Sequence, residues 1–463
     1  METRPRDACG VIGIFDVEDA AHYAALGLHA LQHRGQESAG IVTSDGVKLY
    51  SHKGMGLVAN VFPGGRIEGL PGKTAIGHVR YSTAGGSTII NAQPLLAYYM
   101  NMEIALGHNG NLCQGEALRE DLAARGALFQ TTTDSELILH MLAQHQAKTP
   151  EDVAAVLAMA GPAFSIVILY AGRLIAARDP WGFRPLVLGE LPKPDGGKAP
   201  VVASETCALD QIGANYIREV KPGEMLVIDH AGVRPIQFAP AEEPPCRCLL
   251  EHIYFSRPDS VVFGETPHIV RVRCGEVLAR EHPVDADIVV AIPDSGFSAA
   301  MGYARAIGKP LERGIIRNHY VGRSFIAPGQ QARARAVNMK HNVVREVVKD
   351  KRVVLVDDSL IRGTTTATLA KTLREAGARE VHLRIACPPT RHPCVYGVDF
   401  PERSELIAHD RSVEEICTLL ELDSLGYLSK QGLLELFGEQ SASFCTACWS
   451  GRNPEIIRRW DRG

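Results

Sequence analysis

"KRVVLVDDSLIRGTTTATLAKTLREAGA", residues 351–378, decides how the second half of this chain folds. Val353–Val356 is an unbroken apolar run, the pattern of a strand covered on both faces inside a parallel sheet. Asp357 and Asp358 fall at its carboxyl end. The stretch "SLIRGTT" (359–365) turns the chain, and a helix is predicted from near Thr365 to Gly377. A loop of Gly and hydroxyl residues that opens a helix presents unpaired N–H groups and the positive end of the helix dipole, so it is suited to a phosphate. Two adjacent carboxylates would repel that anion. They make sense beside it, holding sugar hydroxyls or Mg²⁺.

Working outward, "ADIVVAIPD" (286–294) and "EVHLRIACPP" (380–389) read as further buried strands. Helical stretches such as "GFSAAMGYARAIG" (296–308) separate them, which implies a parallel α/β sheet. The first half has a different rhythm. "CGVIGIF" (9–15), "AGIVTSDGVKLYSHKG" (39–54), "KTAIGHVR" (73–80) and "EIALGHNGNL" (103–112) are short strands broken by Gly and Asp. "FSIVILYAGRLIAARDP" (164–180) reads as a hairpin turning at Ala171–Gly172. Helical patterns at 20–33, 134–146 and 150–160 interleave, so sheets sandwiched by helices are expected. "APAEEPPC" (239–246) reads as the linker, and the tail after about residue 430 is expected to hold little core.

The chain has 463 residues, enough for two or three domains with buried cores. Its net charge of -4 gives no general reason to bind nucleic acid. No window is apolar enough to span a membrane and no secretory signal opens the chain, so a cytoplasmic, reducing location is expected. There the eleven cysteines read as metal ligands, catalytic thiols or core residues rather than disulfides.

The 351–378 stretch resembles the phosphoribosylpyrophosphate (PRPP) motif of type I phosphoribosyltransferases. The resemblance implies that Asp357 and Asp358 hold the ribose, and that Ser359, Arg362, Gly363, Thr364 and Thr365 hold the 5′-phosphate. "IPDSG" (292–296) resembles that family's pyrophosphate loop and implies Mg²⁺ near Ser295, Asp357 and Asp358. "NHYVGRSFI" (318–326), with Arg333, Arg335 and Lys340, resembles its mobile lid. Asn338 stands there where the pattern carries a basic residue.

"ACGVIGI" (8–14), "LQHRGQESAGI" (31–41), "GHVRYST" (77–83), "GHNGNL" (107–112) and "TTDSE" (132–136) occur in that order. Together they resemble the glutamine amidotransferases with an N-terminal nucleophile, an αββα sandwich. A thiol needs a base at neutral pH. An N-terminal cysteine carries one in its own α-amine, whose ordinary pKa is about 8. The resemblance therefore implies removal of the propeptide METRPRDA, freeing the amine of Cys9. It further implies that Arg80 clamps the glutamine carboxylate, Asp134 accepts from its ammonium, and Asn109 with the Gly110 N–H forms the oxyanion hole. Arg34 and Gly35 would line the pocket. His33, His78 and His108 are expected to pack and hydrogen-bond rather than act as bases.

The two halves in this order resemble the glutamine PRPP amidotransferase family, as do "SETCA" (204–208), "SRPDS" (256–260) and "RDPWGFRPL" (178–186). The resemblance implies that glutamine and PRPP give 5-phosphoribosylamine, glutamate and pyrophosphate, the committed step of purine synthesis. It implies boundaries of 1–8 propeptide, 9–240 glutaminase, 249–430 phosphoribosyltransferase and 431–463 tail. Nucleotide feedback inhibitors and a homotetramer are implied as well. Cys445 and Cys448 form a C-x-x-C pair, which with distant partners suits Zn²⁺ or an iron–sulfur cluster. One branch of the family has both a propeptide and a 4Fe–4S cluster, which implies Cys248, Cys394, Cys445 and Cys448 as ligands. Cys248 is preferred to Cys246 for its spacing to "EHIYFSRPDS". Cys113, Cys207, Cys274, Cys387 and Cys417 read as unliganded core thiols. A glutaminase joined to another acceptor site is opposed by the 351–378 loop. A PRPP-binding regulator without catalysis is opposed by the complete set of glutaminase motifs.

Overall fold

The first half is built from β1 (Gly10–Ile14), β2 (Ser38–Ser44), β3 (Leu49–Met55), β4 (Thr74–Arg80), β5 (Leu95–Tyr99), β6 (Met102–Gly110), β7 (Phe164–Tyr170), β8 (Arg173–Arg178), β9 (Val187–Pro192), β10 (Lys198–Ala203), β11 (Asn215–Glu219), β12 (Glu224–Asp229) and β13 (Gly232–Gln237). The computed structural model describes residues 9–63, 67, 69–81, 86–318, 341–398 and 403–453. One antiparallel sheet runs β11-β9-β10-β1-β4-β2-β3 and the other β13-β12-β8-β7-β6-β5. The period-two alternation of each strand builds the layers. Phe164, Ile166 and Ile168 of β7 face outward, onto the helices Ser135–Gln144 and Pro150–Leu157. Val167 and Leu169, between them in sequence, face Val11, Ile76 and Val202 of the opposing sheet. Ile12 and Ile14 of β1 face outward, onto the helices Ala20–Ala30 and Thr206–Ile212. The result is the expected αββα sandwich. The hairpin turns at Ala171–Gly172 as expected, between β7 and β8. Helix Pro150–Leu157 starts where its sequence dictates, with a Thr149–Asp152 capping box and Pro150 in the first turn.

The second half contains β14 (Arg247–Cys248), β15 (Ile288–Ala291), β16 (Leu311–Glu312), β17 (Ile315–Arg317), β18 (His341–Val343), β19 (Arg352–Asp357), β20 (Glu380–Ile385), β21 (Ser424–Tyr427) and β22 (Phe444–Cys445). A parallel sheet runs β16-β15-β19-β20-β21. Val353–Val356 are fully buried at its centre, as an apolar run between two layers of helix requires. The helix after β19 spans Thr364–Glu375, a little shorter than expected. The antiparallel pair β17–β18 leads into and out of the expected lid, but Arg333, Arg335, Asn338 and Lys340 lie outside the described residues.

Two features differ from the sequence reading. Helix Pro267–Glu281 was not anticipated, because its buried residues, among them Val270, Val272, Cys274, Val277 and Leu278, surround it instead of forming one stripe. The tail was expected to hold little core, yet Leu433, Phe444, Cys448 and Trp449 are buried in the core of the second half. They pack there because β22 returns to pair with β14, placing Cys248 beside Cys445.

Candidate functional site

Cys9 stands at the head of β1, a central strand held on one side by β10 and on the other by β4. Its thiol is buried and donates to the Tyr81 carbonyl at 3.3 Å. Burial pushes the thiol pKa up; the nearby Arg80 charge opposes this and Asp134 adds to it. In the full chain the Cys9 nitrogen is a peptide nitrogen, so this thiol has no amine to deprotonate it. A cavity of about 10 Å³ joins Cys9, Arg80, Tyr81, Gln93, His108, Gly110, Thr133, Asp134 and Ser135.

Each of these residues is placed by its element. Arg80 ends β4, two and four residues beyond His78 and Ile76 on the same face, and Ile76 packs between the sheets. Asn109 and Gly110 end β6 in the facing sheet. Both polar atoms of the Asn109 amide are buried without a hydrogen-bond partner among the described residues. A buried amide left this way is a donor held ready for another oxygen. Gly110 has φ 145°, and a Cβ there would collide with the Ala163 carbonyl, so only glycine fits. Asp134 precedes helix Ser135–Gln144, and the Leu112 N–H (2.7 Å) and the Thr133 hydroxyl (3.2 Å) fix its carboxylate. Carboxylate oxygens accept about four hydrogen bonds, so capacity remains for an ammonium. His108 bonds Ser135 Oγ at 3.0 Å, and His78 bonds the His108 carbonyl at 2.9 Å. Burial lowers both imidazole pKa values, that of His78 to about 3, so neither carries charge at neutral pH.

Arg34 lies beneath Cys9 rather than in the cavity beside it. Its Nε donates to the Cys9 carbonyl at 3.0 Å. Its other nitrogens meet Glu205 at 2.5 Å and Glu251 at 2.8 and 2.9 Å. Arg184 donates to Glu251 at 3.2 Å and to the Tyr396 carbonyl at 2.9 Å. All four charged side chains are fully buried. Glu205 also accepts from the Ser260 hydroxyl and the Arg257 N–H, and it meets His33 at 2.8 Å. Glu251 belongs to a π-helical turn, Glu251–Phe255, at the start of the second half. This network therefore fastens the second half to the backbone of Cys9. Gly35 packs on the backbone of Val79 and Arg80.

The second constellation lies at the carboxyl edge of the parallel sheet, where open α/β sheets bind ligands. β15 and β19 are neighbours, with Ala291 opposite Val356, so the loops that follow them emerge side by side. Asp357 and Asp358 are buried, and Ser359 Oγ donates to Asp358 at 2.5 Å. The second carboxylate oxygen of Asp358 and the hydroxyl of Ser295 are buried and unpartnered among the described residues. Gly363 caps helix Thr364–Glu375, placing Thr364 and Thr365 at its N-terminus. Arg362 meets Glu405 at 2.8 Å.

Cys394 and Cys445, with Cys113 and Cys246, pack against the cluster of Trp181, Phe183, Tyr396 and Ala447, and Cys248 and Cys448 lie near them in the core of the second half. Burial is the main influence raising the thiol pKa of Cys448, followed by its neighbours Cys445, Cys394 and Cys248. Burial likewise raises that of Cys248, to about 12, with Cys394 and Cys445 adding to it. Cys246 is also close, in contact with Cys445. Among the described residues no three His, Cys, Asp or Glu side chains converge on a single-ion site. A cleft of about 1320 Å³ opens at the other end of the sandwich, among Asp16, Ser44–Leu49, Tyr98, Arg173 and His230, and no motif residue lines it. Sequence reading quoted the segments that contain Arg184, Glu205 and Glu251 but gave those residues no role. Their signal was a charged residue inside an apolar segment.

Known proteins agree with this geometry. Residues 78–211 match the glutamine amidotransferase domain family, and 277–402 the phosphoribosyl transferase domain family. A chloroplastic amidophosphoribosyltransferase of Glycine max is 48% identical over 98% of this chain and 79% of its own. An amidophosphoribosyltransferase of Bacillus subtilis is 47% identical over 97% of this chain and 95% of its own. The solved B. subtilis glutamine PRPP amidotransferase, complexed with ADP and GMP, superposes with a TM-score of 0.90 at 46% identity, covering 96% of this chain and 97% of that one. The chain belongs to the amidophosphoribosyltransferase family.

Proposed function

We propose that this chain moves the amide nitrogen of glutamine to PRPP, yielding 5-phosphoribosylamine, glutamate and pyrophosphate for purine synthesis, and that Cys9 is its nucleophile. The observation that carries the reading is one cavity holding Cys9 with Arg80, Asp134 and Gly110, next to the unpartnered amide of Asn109. After removal of residues 1–8, the new α-amine takes the Cys9 proton. Sulfur attacks the amide carbon, and Asn109 and the Gly110 N–H receive the oxyanion. Arg80 holds the substrate carboxylate by its planar fork and Asp134 holds its ammonium. The C–N bond breaks, the amine returns the proton to the leaving ammonia, and water hydrolyses the thioester to glutamate.

The second half then displaces pyrophosphate at the anomeric carbon. Asp357 and Asp358 hold the ribose hydroxyls, and Ser359, Arg362, Gly363, Thr364 and Thr365 hold the 5′-phosphate. Mg²⁺ would be held by Ser295 and the paired acids together with PRPP itself, and it would draw charge from the leaving pyrophosphate. The unpartnered oxygens of Ser295 and Asp358 suit such a cation. Lys340 would reach the pyrophosphate from the lid. In this reading residues 9–240 are the glutaminase, 249–430 the phosphoribosyltransferase, and 431–463 the C-terminal segment that carries Cys445 and Cys448. The reading includes a cytoplasmic homotetramer inhibited by purine nucleotides.

Cys248, Cys394, Cys445 and Cys448 lie close enough to influence one another's titration, and four sulfur donors in a buried setting suit a thiolate-bound group, which this reading takes as 4Fe–4S. Anaerobically purified protein is expected to be brown and to contain iron and sulfide. A colourless chain with one zinc would overturn that assignment. The activity is tested by pyrophosphate release from the processed protein. Release is expected with glutamine and PRPP together, and no release with both present would end the reading.

A further inference from the structure

The segment Cys394–Gly397 carries one of the four thiols and also rests directly on the oxyanion strand. The Asn111 side chain donates to the Val395 carbonyl at 3.0 Å. Arg184 donates to the Tyr396 carbonyl at 2.9 Å, and Phe183 stacks on Tyr396 with ring centres 4.5 Å apart. The Tyr396 N–H donates to Cys394 Sγ at 3.3 Å. Gly397 lies flush on β6, and a Cβ there would stand 2.9 Å from the Gly110 carbonyl carbon and 3.1 Å from both the Asn111 nitrogen and Arg184 Nη2. Its φ of 91° also belongs to glycine. Four residues therefore join a cluster thiol to the backbone that would receive the oxyanion.

A second connection runs in parallel. The Cys248 N–H donates to the Phe183 carbonyl at 3.1 Å, adjoining Arg184. Arg184 meets Glu251, Glu251 meets Arg34, and Arg34 holds the Cys9 carbonyl. Arg184 thus touches both the loop of Cys394 and the charge pair beneath the nucleophile.

We propose that the Cys394–Gly397 loop, with Asn111 and Arg184 as positioning residues, couples the thiol-bound cluster to the glutaminase site, so that filling either one steadies the other. This rests on the iron–sulfur reading above. The physical ground is tolerance. An oxyanion donor works only within a few tenths of an ångström of its place. A loop in contact with Gly110, fixed at Cys394 by a cluster, sets that place, whereas the same loop with Cys394 unliganded can shift. Coupling between two binding sites is reciprocal in free energy, so an occupied glutamine site holds the cluster more tightly, and a loop held still slows its release.

The test uses processed, full-length protein whose iron and sulfide have been measured first. A chelator removes iron while the visible cluster absorbance is followed, with and without a diazoketone analogue of glutamine bound covalently at Cys9. Bleaching is expected to slow by about 5-fold or more, the lower end of usual couplings. Asn111→Ala is expected to assemble the cluster but lose most of this protection. It should also lower kcat for glutamine with little change in KM, and leave ammonia-dependent synthesis intact. Equal bleaching rates with and without the analogue in the unmutated protein would overturn the proposal even if every variant misfolds. Full protection retained in Asn111→Ala would also overturn it. Absence of iron and sulfide at the outset is a separate result, which removes the cluster reading and this proposal with it.

Discussion

Cys9→Ser is expected to lose glutamine-dependent synthesis by about 10³-fold or more, a barrier increase of about 4 kcal/mol, while ammonia-dependent synthesis continues. A serine hydroxyl fits the site and can keep the hydrogen bond to the Tyr81 carbonyl, so the fold is not at stake. Nucleophilicity is what changes, because an α-amine of pKa about 8 can deprotonate a thiol but hardly a hydroxyl. The residues proposed to hold PRPP follow β15 and β19 of the parallel sheet, apart from the cavity of Cys9. Pyrophosphate release with each nitrogen donor in turn separates the two. Glutamine use within tenfold of the unmutated protein would remove Cys9 from the nucleophile's role.

Glu251→Ala is expected to destabilise the chain by about 3–5 kcal/mol, because it leaves Arg34 and Arg184 buried with Glu205 as their one remaining carboxylate in the network. By contrast Glu151, paired at 2.9 Å with Arg234 on the surface, should cost little when changed to Ala. Thermal unfolding of the two variants side by side measures the difference. Equal melting temperatures would show that the buried network contributes no net stability. The network also sets an acid limit. Burial alone would raise the Glu251 pKa, but the charge and hydrogen bonds of Arg34 and the charge of Arg184 hold it below the ordinary carboxylate value. The group that is depressed on folding stabilises the folded state above the unfolded carboxylate pKa, and that contribution fades as pH falls through the lower folded value. Melting temperature should therefore drop on acidification, and less steeply in Glu251→Gln.

Local chemistry made much of the molecule legible. Val353–Val356 announced a doubly covered strand because four adjacent apolar residues leave it no wet face, and Ala171–Gly172 announced a hairpin because the chain must reverse between two β-rich runs. The five motifs of the first half singled out Cys9, Arg80, Asn109, Gly110 and Asp134 although they are far apart in sequence, and the fold brings Cys9, Arg80, Gly110 and Asp134 to one cavity, with Asn109 the neighbour of Gly110 on β6. Helix Pro267–Glu281 was hidden because its buried positions surround it, and periodicity detects one-sided burial only. The burial of Trp449 and Phe444 was missed because it depends on β22 finding β14 about 200 residues away, which no local pattern encodes. The placement of Arg34 differs for a related reason. Its motif marked it as near the nucleophile, but its carboxylate partners Glu205 and Glu251 come from distant segments.

The parallel pairing of Cys248 with Cys445 has a consequence for how the protein is made. At about 5–20 residues per second, translation separates these two residues by roughly 10–40 s. The sandwich and β14 emerge from the ribosome well before the partner strand, with Cys448 three residues later. Any group bound by all four thiols must therefore be delivered only after β22 and Cys448 have been made. Until then Cys248 and its neighbour Cys246 lack their β22 partner strand, so the nascent chain passes through a window in which oxidants or stray metal ions compete for them.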